Sequence, residues 1–151
     1  MIFIPASKRI TRTLFYMPKS VHVAVGVITS TDEYNKTQYF LTKRLDNAHQ
    51  GGKWEFPGGK VEKDETIAQA LARELKEEIN IEVLSCQPLT IIYHDYGDKK
   101  VCLEVFIVDN YIGEPSAQEG QQQSWFTLEE FKNLDFPKAN EAIIAKLVAH
   151  N

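Results

Sequence analysis

The run Val21-His22-Val23-Ala24-Val25-Gly26-Val27-Ile28-Thr29 constrains the fold more than any other segment. It is rich in β-branched residues and apolar at odd and even positions alike, so a strand built from it needs a covering layer on each side. Gln38 to Arg44 predicts a second strand after a polar turn from Ser30 to Lys36. Leu89 to Tyr96 and Val101 to Val108, on either side of Gly97-Asp98-Lys99-Lys100, predict a hairpin. Thr66 with Gln69 forms a capping box that starts a helix, and Asn80, which tolerates the left-handed conformation, ends it. A second box, Thr127 with Glu130, predicts a short helix, and Ala139 to Ala149 is apolar at helical spacing. Glu114 to Ser124, rich in Gly, Pro and Gln, predicts a loop. Strands interleaved with helices give an α/β fold with a mixed sheet and helices on both faces.

The 151 residues suit one domain. With 17 basic and 21 acidic side chains the net charge is -4, which offers no general attraction to a nucleic-acid backbone. No apolar run is long enough to span a bilayer, so no membrane partner is expected. Cys86 and Cys102 form no CxxC pair and have no matching histidines; they read as core thiols of a cytoplasmic protein rather than a disulfide or zinc site. Residues 1–20 stand apart from 21–151: they carry Lys8, Arg9, Arg12 and Lys19 and no acid. That composition also describes a transit peptide, but Leu14-Phe15-Tyr16-Met17 suits an added edge strand or a cover for the domain.

Chemistry enters with Ala72-Arg73-Glu74-Leu75-Lys76-Glu77-Glu78-Ile79. At about 100° per residue, Glu74, Glu77 and Glu78 share one arc of the helix, expected beside the core-facing arc of Ala68, Leu71, Ala72, Leu75 and Ile79. Like charges at this spacing cost roughly 0.2 to 0.5 kcal/mol per pair, and more when half shielded, which calls for a cation. Oxygen donors without histidine or cysteine suit Mg²⁺ or Mn²⁺ rather than zinc. Arg73 can neutralise part of the cluster. A solvated acidic surface helix would look the same in isolation. The preceding Trp54-Glu55-Phe56-Pro57-Gly58-Gly59-Lys60 leads an aromatic segment into a Pro-Gly-Gly turn, where the Gly58 carbonyl could join the carboxylates around a metal.

Gly59, five residues, Glu65, seven residues, Arg73-Glu74-Leu75, then Lys76, Glu77-Glu78, Ile79 and, after one more position, Ile81 resembles the 23-residue box of the Nudix hydrolases. Asn80 stands where that pattern has glycine. The resemblance implies the Nudix α/β/α sandwich, a mixed β-sheet with a catalytic loop-helix-loop. Within the family, residues from about Val23 to Leu147 are most similar to the MutT-like 8-oxo-dGTP diphosphatases, through Thr42-Lys43-Arg44, Asp46, Ala48-His49, Glu55 to Lys60, Glu119-Gly120-Gln121 and Phe136-Pro137-Lys138-Ala139-Asn140.

The resemblance implies Glu74 as the group that activates water, with Glu77 and Glu78 beside it in catalysis. It implies Gly58, Glu74, Glu77, Glu78 and Glu119 as metal ligands. Arg44, Phe56 and Asn140 would contact substrate, and Gly59, Glu65 and Arg73 would support the site. The implied activity is Mg²⁺-dependent hydrolysis of 8-oxo-dGTP, and more weakly dGTP, to nucleoside monophosphate and pyrophosphate, which clears a mutagenic nucleotide before DNA replication; the sequence does not settle the oligomeric state, with a monomer favoured. Alternatives are a Nudix enzyme acting on CTP, dCTP or another nucleoside diphosphate derivative, and a nucleotide-binding module without turnover. Read without the resemblance, Asn140 could be an N-cap, Arg44 a strand-end surface residue, and Trp54, Phe56, Trp125 and Phe136 core aromatics.

Overall fold

The computed structural model describes residues 20–150, so the expectations for the basic extension lie, Ser20 apart, outside the described residues. Strand β1 (Ser20–Thr31) is the spine. Along Ser20 to Ile28 it runs parallel to β6 (Lys100–Ile112), and Thr29 to Thr31 pair antiparallel with β2 (Thr37–Lys43). Its middle, Val23 to Val25, is antiparallel to the short β4 (Gly58–Lys60). The order across the sheet is β3 (Trp54–Glu55), β2, β1, β6 and β5 (Glu82–Asp95), with β7 (Gln123–Phe126) on β2.

Alternation along β1 divides its side chains between two cores. Ala24 and Ile28 join Phe40, Leu71, Leu75, Ile79 and Phe106 under helix α1 (Ile67–Ile79). Val25 and Val27 join Leu41, Val105, Phe131, Phe136, Ile143 and Leu147 beneath helix α2 (Lys138–His150) and the 3-10 helix Leu128–Asn133. The doubly apolar strand therefore has its two covers, as its pattern requires. Gly26 belongs to the α1 side, where a Cβ would stand 2.9 Å from Leu75 Cδ1; its bareness lets the helix sit close to the sheet.

The α1 capping box is present: Thr66 Oγ1 accepts from the Gln69 amide at 3.1 Å, and Gln69 Oε1 accepts from the Thr66 amide at 2.9 Å. Asn80 closes the helix at φ 58° and ψ 41°, the left-handed region that glycine would otherwise fill. The hairpin β5–β6 is longer than expected, because Glu82 to Gln87 also pair, through bulges. Two expectations need correction. Gln123 and Ser124 are not loop but the start of β7, whose alternate aromatics Trp125 and Phe126 pack on opposite faces of β2. The Pro-Gly-Gly segment is not only a turn, since Gly58 to Lys60 enter the sheet as β4.

Strand β4 lies very close to β1 at Gly58, where a Cβ would fall 2.1 Å from the Ala24 carbonyl oxygen. Gly58→Ala is expected to cost roughly 1 to 3 kcal/mol of unfolding free energy, because backbone cannot yield as a side chain can. Urea denaturation measures it, and wild-type stability would contradict this close approach.

Candidate active site

The residues of α1 that are buried are Ile67, Ala70, Leu71, Leu75 and Ile79, whereas Ala72 is exposed. With Ile67 at zero and about 100° per residue, the buried arc runs from about 300° to about 120°, and Glu74 and Glu78, at about 340° and 20°, fall inside it. The expected placement beside the core arc is therefore corrected for these two: they point inward. Glu77 sits at the margin and is exposed. Two acids can occupy a buried arc because the surface they meet is β4, whose glycines present backbone instead of hydrocarbon. A Cβ at Gly59 would lie 2.0 Å from Glu74 Oε2, and the Gly58 amide donates to Glu78 Oε2 at 3.2 Å.

Arg73 ties the acids together. Its Nε and Nη2 donate to the two carboxylate oxygens of Glu65 at 2.5 and 3.0 Å, and Nη2 also donates to the Lys60 carbonyl at 3.0 Å. Nη1 reaches Glu74 at 2.8 Å and Glu77 at 3.3 Å. Arg73 and Glu65 form a forked ion pair that joins helix to loop. Hydrogen bonding to Arg73 draws the Glu65 carboxyl down to about 2.

Among the described residues, no cationic side chain pairs with Glu78. Burial, then repulsion from Glu55, Glu74 and Glu119, pushes its pKa up to about 8, against the pull of the Gly58 amide. Among the described residues no three acidic, histidine or cysteine side chains are already drawn tightly together around a point. Glu74 leans on Arg73 while Glu78 leans on Gly58. A half-buried carboxylate facing three others, all hard oxygen donors, fits a divalent cation of the Mg²⁺ or Mn²⁺ type.

Glu119 is exposed on a loop that is pinned to the end of α1. The Gln118 amide donates to the Glu78 carbonyl at 2.9 Å, and the Ser116 amide to the Ile79 carbonyl at 2.9 Å. These bonds bring Glu119 to the rim of a cavity of about 480 Å³ that also takes in Gly58, Gly59, Glu74, Glu77 and Glu78. Arg44, Phe56 and Asn140 line the same cavity. Only Glu65 and Arg73, of the residues singled out from sequence, stand behind the wall.

Phe56 both lines the cavity and stacks on Phe136, with centroids 6.2 Å apart, so pocket and core readings hold together. Trp54 packs on Phe126 and Trp125 on Phe40, as core aromatics. Arg44 is no free surface residue: Nη1 donates to Glu55 at 2.7 Å, while its buried Nε has no hydrogen-bond partner among the described residues. Asn140 is not the N-cap of α2. It is the third residue of the helix, buried, with its backbone N–H donating to the Pro137 carbonyl at 2.9 Å.

Sequence reasoning missed Tyr96 as a cavity residue, and it included Glu55 and His49 in segments similar to the family's pocket without assigning either a role. Glu55 carried one available signal, an acid between two aromatics at a strand end, where burial is expected and a basic partner must be sought. His49 meets the Tyr96 ring edge-on at 5.3 Å, a contact between distant segments that no local spacing announces.

Gly59→Ala is expected to fold with a melting temperature lowered by no more than about 5 °C, because the clashing atoms end a flexible side chain. Glu74 must then leave its seat, so the rise in melting temperature expected on adding a divalent ion such as Mg²⁺ should shrink. An undiminished Mg²⁺ effect would mean that this seat plays no part in holding the ion.

A profile described as the NUDIX domain matches residues 24–146. The 8-oxo-dGTP diphosphatase of Escherichia coli (strain K12) is 38% identical over 129 residues, covering 85% of this chain and 97% of that protein. The Proteus vulgaris 8-oxo-dGTP diphosphatase is 43% identical over 102 residues, covering 68% and 88%. A CTP pyrophosphohydrolase of Escherichia coli (strain K12) is 36% identical over 99 residues, covering 66% and 72%. A solved MutT, from the pair Aliivibrio salmonicida and Vibrio cholerae, superposes with a TM-score of 0.73 at 35% identity, covering 88% of this chain and all of that one. With its box folded as a loop and helix around inward-pointing acids, the chain belongs to the Nudix hydrolase family.

Proposed function

We propose that this Nudix hydrolase converts 8-oxo-dGTP, and dGTP less efficiently, to the nucleoside monophosphate and pyrophosphate with the help of Mg²⁺. One observation carries the reading: the inward-facing carboxylates of α1 and the buried Asn140 line one and the same cavity. A nucleoside triphosphate has the matching polarity, with phosphates that need cations and a base that needs polar recognition. The named relatives that are 8-oxo-dGTP diphosphatases support the same substrate.

The Gly58 carbonyl with Glu74, Glu77, Glu78 and Glu119 would hold the divalent ions. When bound, such ions neutralise phosphoryl oxygens and acidify water. Glu74, seated on Gly59 and steadied by Arg73, accepts the proton of the attacking water. The water oxygen bonds to the β-phosphorus, the bridge to the α-phosphate breaks, and the bridging oxygen leaves with the monophosphate. Arg44, anchored by Glu55, keeps a guanidinium beside the nucleotide, and Phe56 supplies an apolar wall.

Base choice follows from donors and acceptors. Guanine presents acceptors at O6 and N7, whereas oxidation at C8 turns N7 into an N–H donor. The Asn140 amide can donate to O6 and accept from N7–H; against ordinary guanine its oxygen faces an acceptor. An unsatisfied buried pair costs roughly 1 to 3 kcal/mol, or about one to two decades of discrimination. The likeness to a CTP pyrophosphohydrolase favours a second reading in which the phosphate chemistry is kept and the base differs.

Products from 8-oxo-dGTP, dGTP, CTP and a sugar-linked nucleoside diphosphate, each with and without Mg²⁺, separate these readings. A preference for 8-oxo-dGTP is expected, and a preference for CTP would replace it. In ¹⁸O-water the label should enter pyrophosphate; label in the monophosphate would refute attack at the β-phosphorus. Glu74→Gln should fold and lose about 10² to 10⁴-fold in turnover. Near-normal turnover would remove Glu74 from its role.

A further inference from the structure

Helix α2 begins directly after Pro137, which has no side-chain oxygen to cap the free amides of the first turn. One of those amides is satisfied from far along the chain. The Ala139 N–H donates to the Tyr96 hydroxyl oxygen at 2.9 Å, across 43 residues. Tyr96 follows the end of β5 and is itself held in place, because its ring meets His94 edge-on at 4.4 Å and His49 edge-on at 5.3 Å. His49 lies 3.7 Å from Asp98 in the hairpin tip, so the β2–β3 loop, the hairpin and α2 converge on this one side chain. Tyr96, Ala139 and Asn140 all line the cavity.

From this convergence we propose that Tyr96 is a positioning residue for base selectivity, its hydroxyl fixing the first turn of α2 and through it the angle at which Asn140 meets the base. The proposal rests on the base-reading role of Asn140 given above. A two-point hydrogen bond to a purine edge tolerates little displacement, and a helix end held only by its own first turn would fray. The residue adjacent to Asn140 is the one whose amide Tyr96 holds, so loss of that bond loosens the reading group rather than the phosphate site. The Tyr96 ring would remain between its histidines in the phenylalanine variant, which removes only the oxygen.

The test compares kcat and KM for 8-oxo-dGTP and dGTP in wild type, Tyr96→Phe, Asn140→Ala and the double variant. Tyr96→Phe should lower the selectivity for the oxidised nucleotide about 3- to 10-fold, the size of one lost hydrogen bond, with the loss in KM more than in kcat. In the Asn140→Ala background the same change should leave the ratio where it was. Unchanged selectivity in Tyr96→Phe, or effects that multiply in the double variant, would overturn the proposal. Wild-type enzyme without preference for the oxidised base would refute the substrate reading instead. Tyr96 is then judged in the ligand-free protein by NMR: the Asn140 side-chain amide resonances should shift in Tyr96→Phe, and unmoved resonances would overturn its positioning role.

Discussion

Everything in this molecule that bears on chemistry depends on how closely α1 approaches the glycine pair of β4. A helix normally keeps its acids out of the arc that faces the sheet, since an unpaired carboxylate is costly to bury. Here Glu74 and Glu78 lie within that arc because Gly58 and Gly59 leave room for carboxyl groups against bare backbone. Among the described residues Glu78 meets no counter-charge, which leaves the helix with a demand for a cation. Arg73 meets only part of it, through Glu65, Glu74 and Glu77.

The two cores give the site its division of labour. The α1 side of β1 carries the acids and the loop that supports them. The α2 side supplies Phe56, Phe136 and Ala139, and with them the wall and the helix end that carries Asn140. One strand serves both, so the carboxylates and Asn140 are tied to the same spine although they are built from different segments. On the proposed role of Asn140, a substitution in α2 or the hairpin would change which base is accepted without moving the carboxylates.

Much of this was legible in the residues. The doubly apolar β1, the Thr66–Gln69 box and the left-handed Asn80 are local signals with local causes, and each appears as read. The box placed the acids on one helix, but periodicity alone could not tell that Glu74 and Glu78 point inward while Ala72 points out, because glycines elsewhere in the chain decide it. Strand β7 was hidden for a similar reason: four residues after a Gly- and Gln-rich loop carry little period, and their pairing with β2 is a tertiary event. Arg44 with Glu55, and Tyr96 with Ala139, are partnerships between segments that no spacing encodes.

The central claim is that acids from the box and the bend before it enclose the metal that serves the triphosphate. Anomalous diffraction from crystals grown with Mn²⁺ and a non-hydrolysable nucleotide tests it most directly. The account predicts a manganese peak within about 2.0 to 2.6 Å of carboxylate oxygens of Glu74 or Glu78 and of the Gly58 carbonyl. A peak remote from these atoms, with both side chains turned to bulk water, would contradict it.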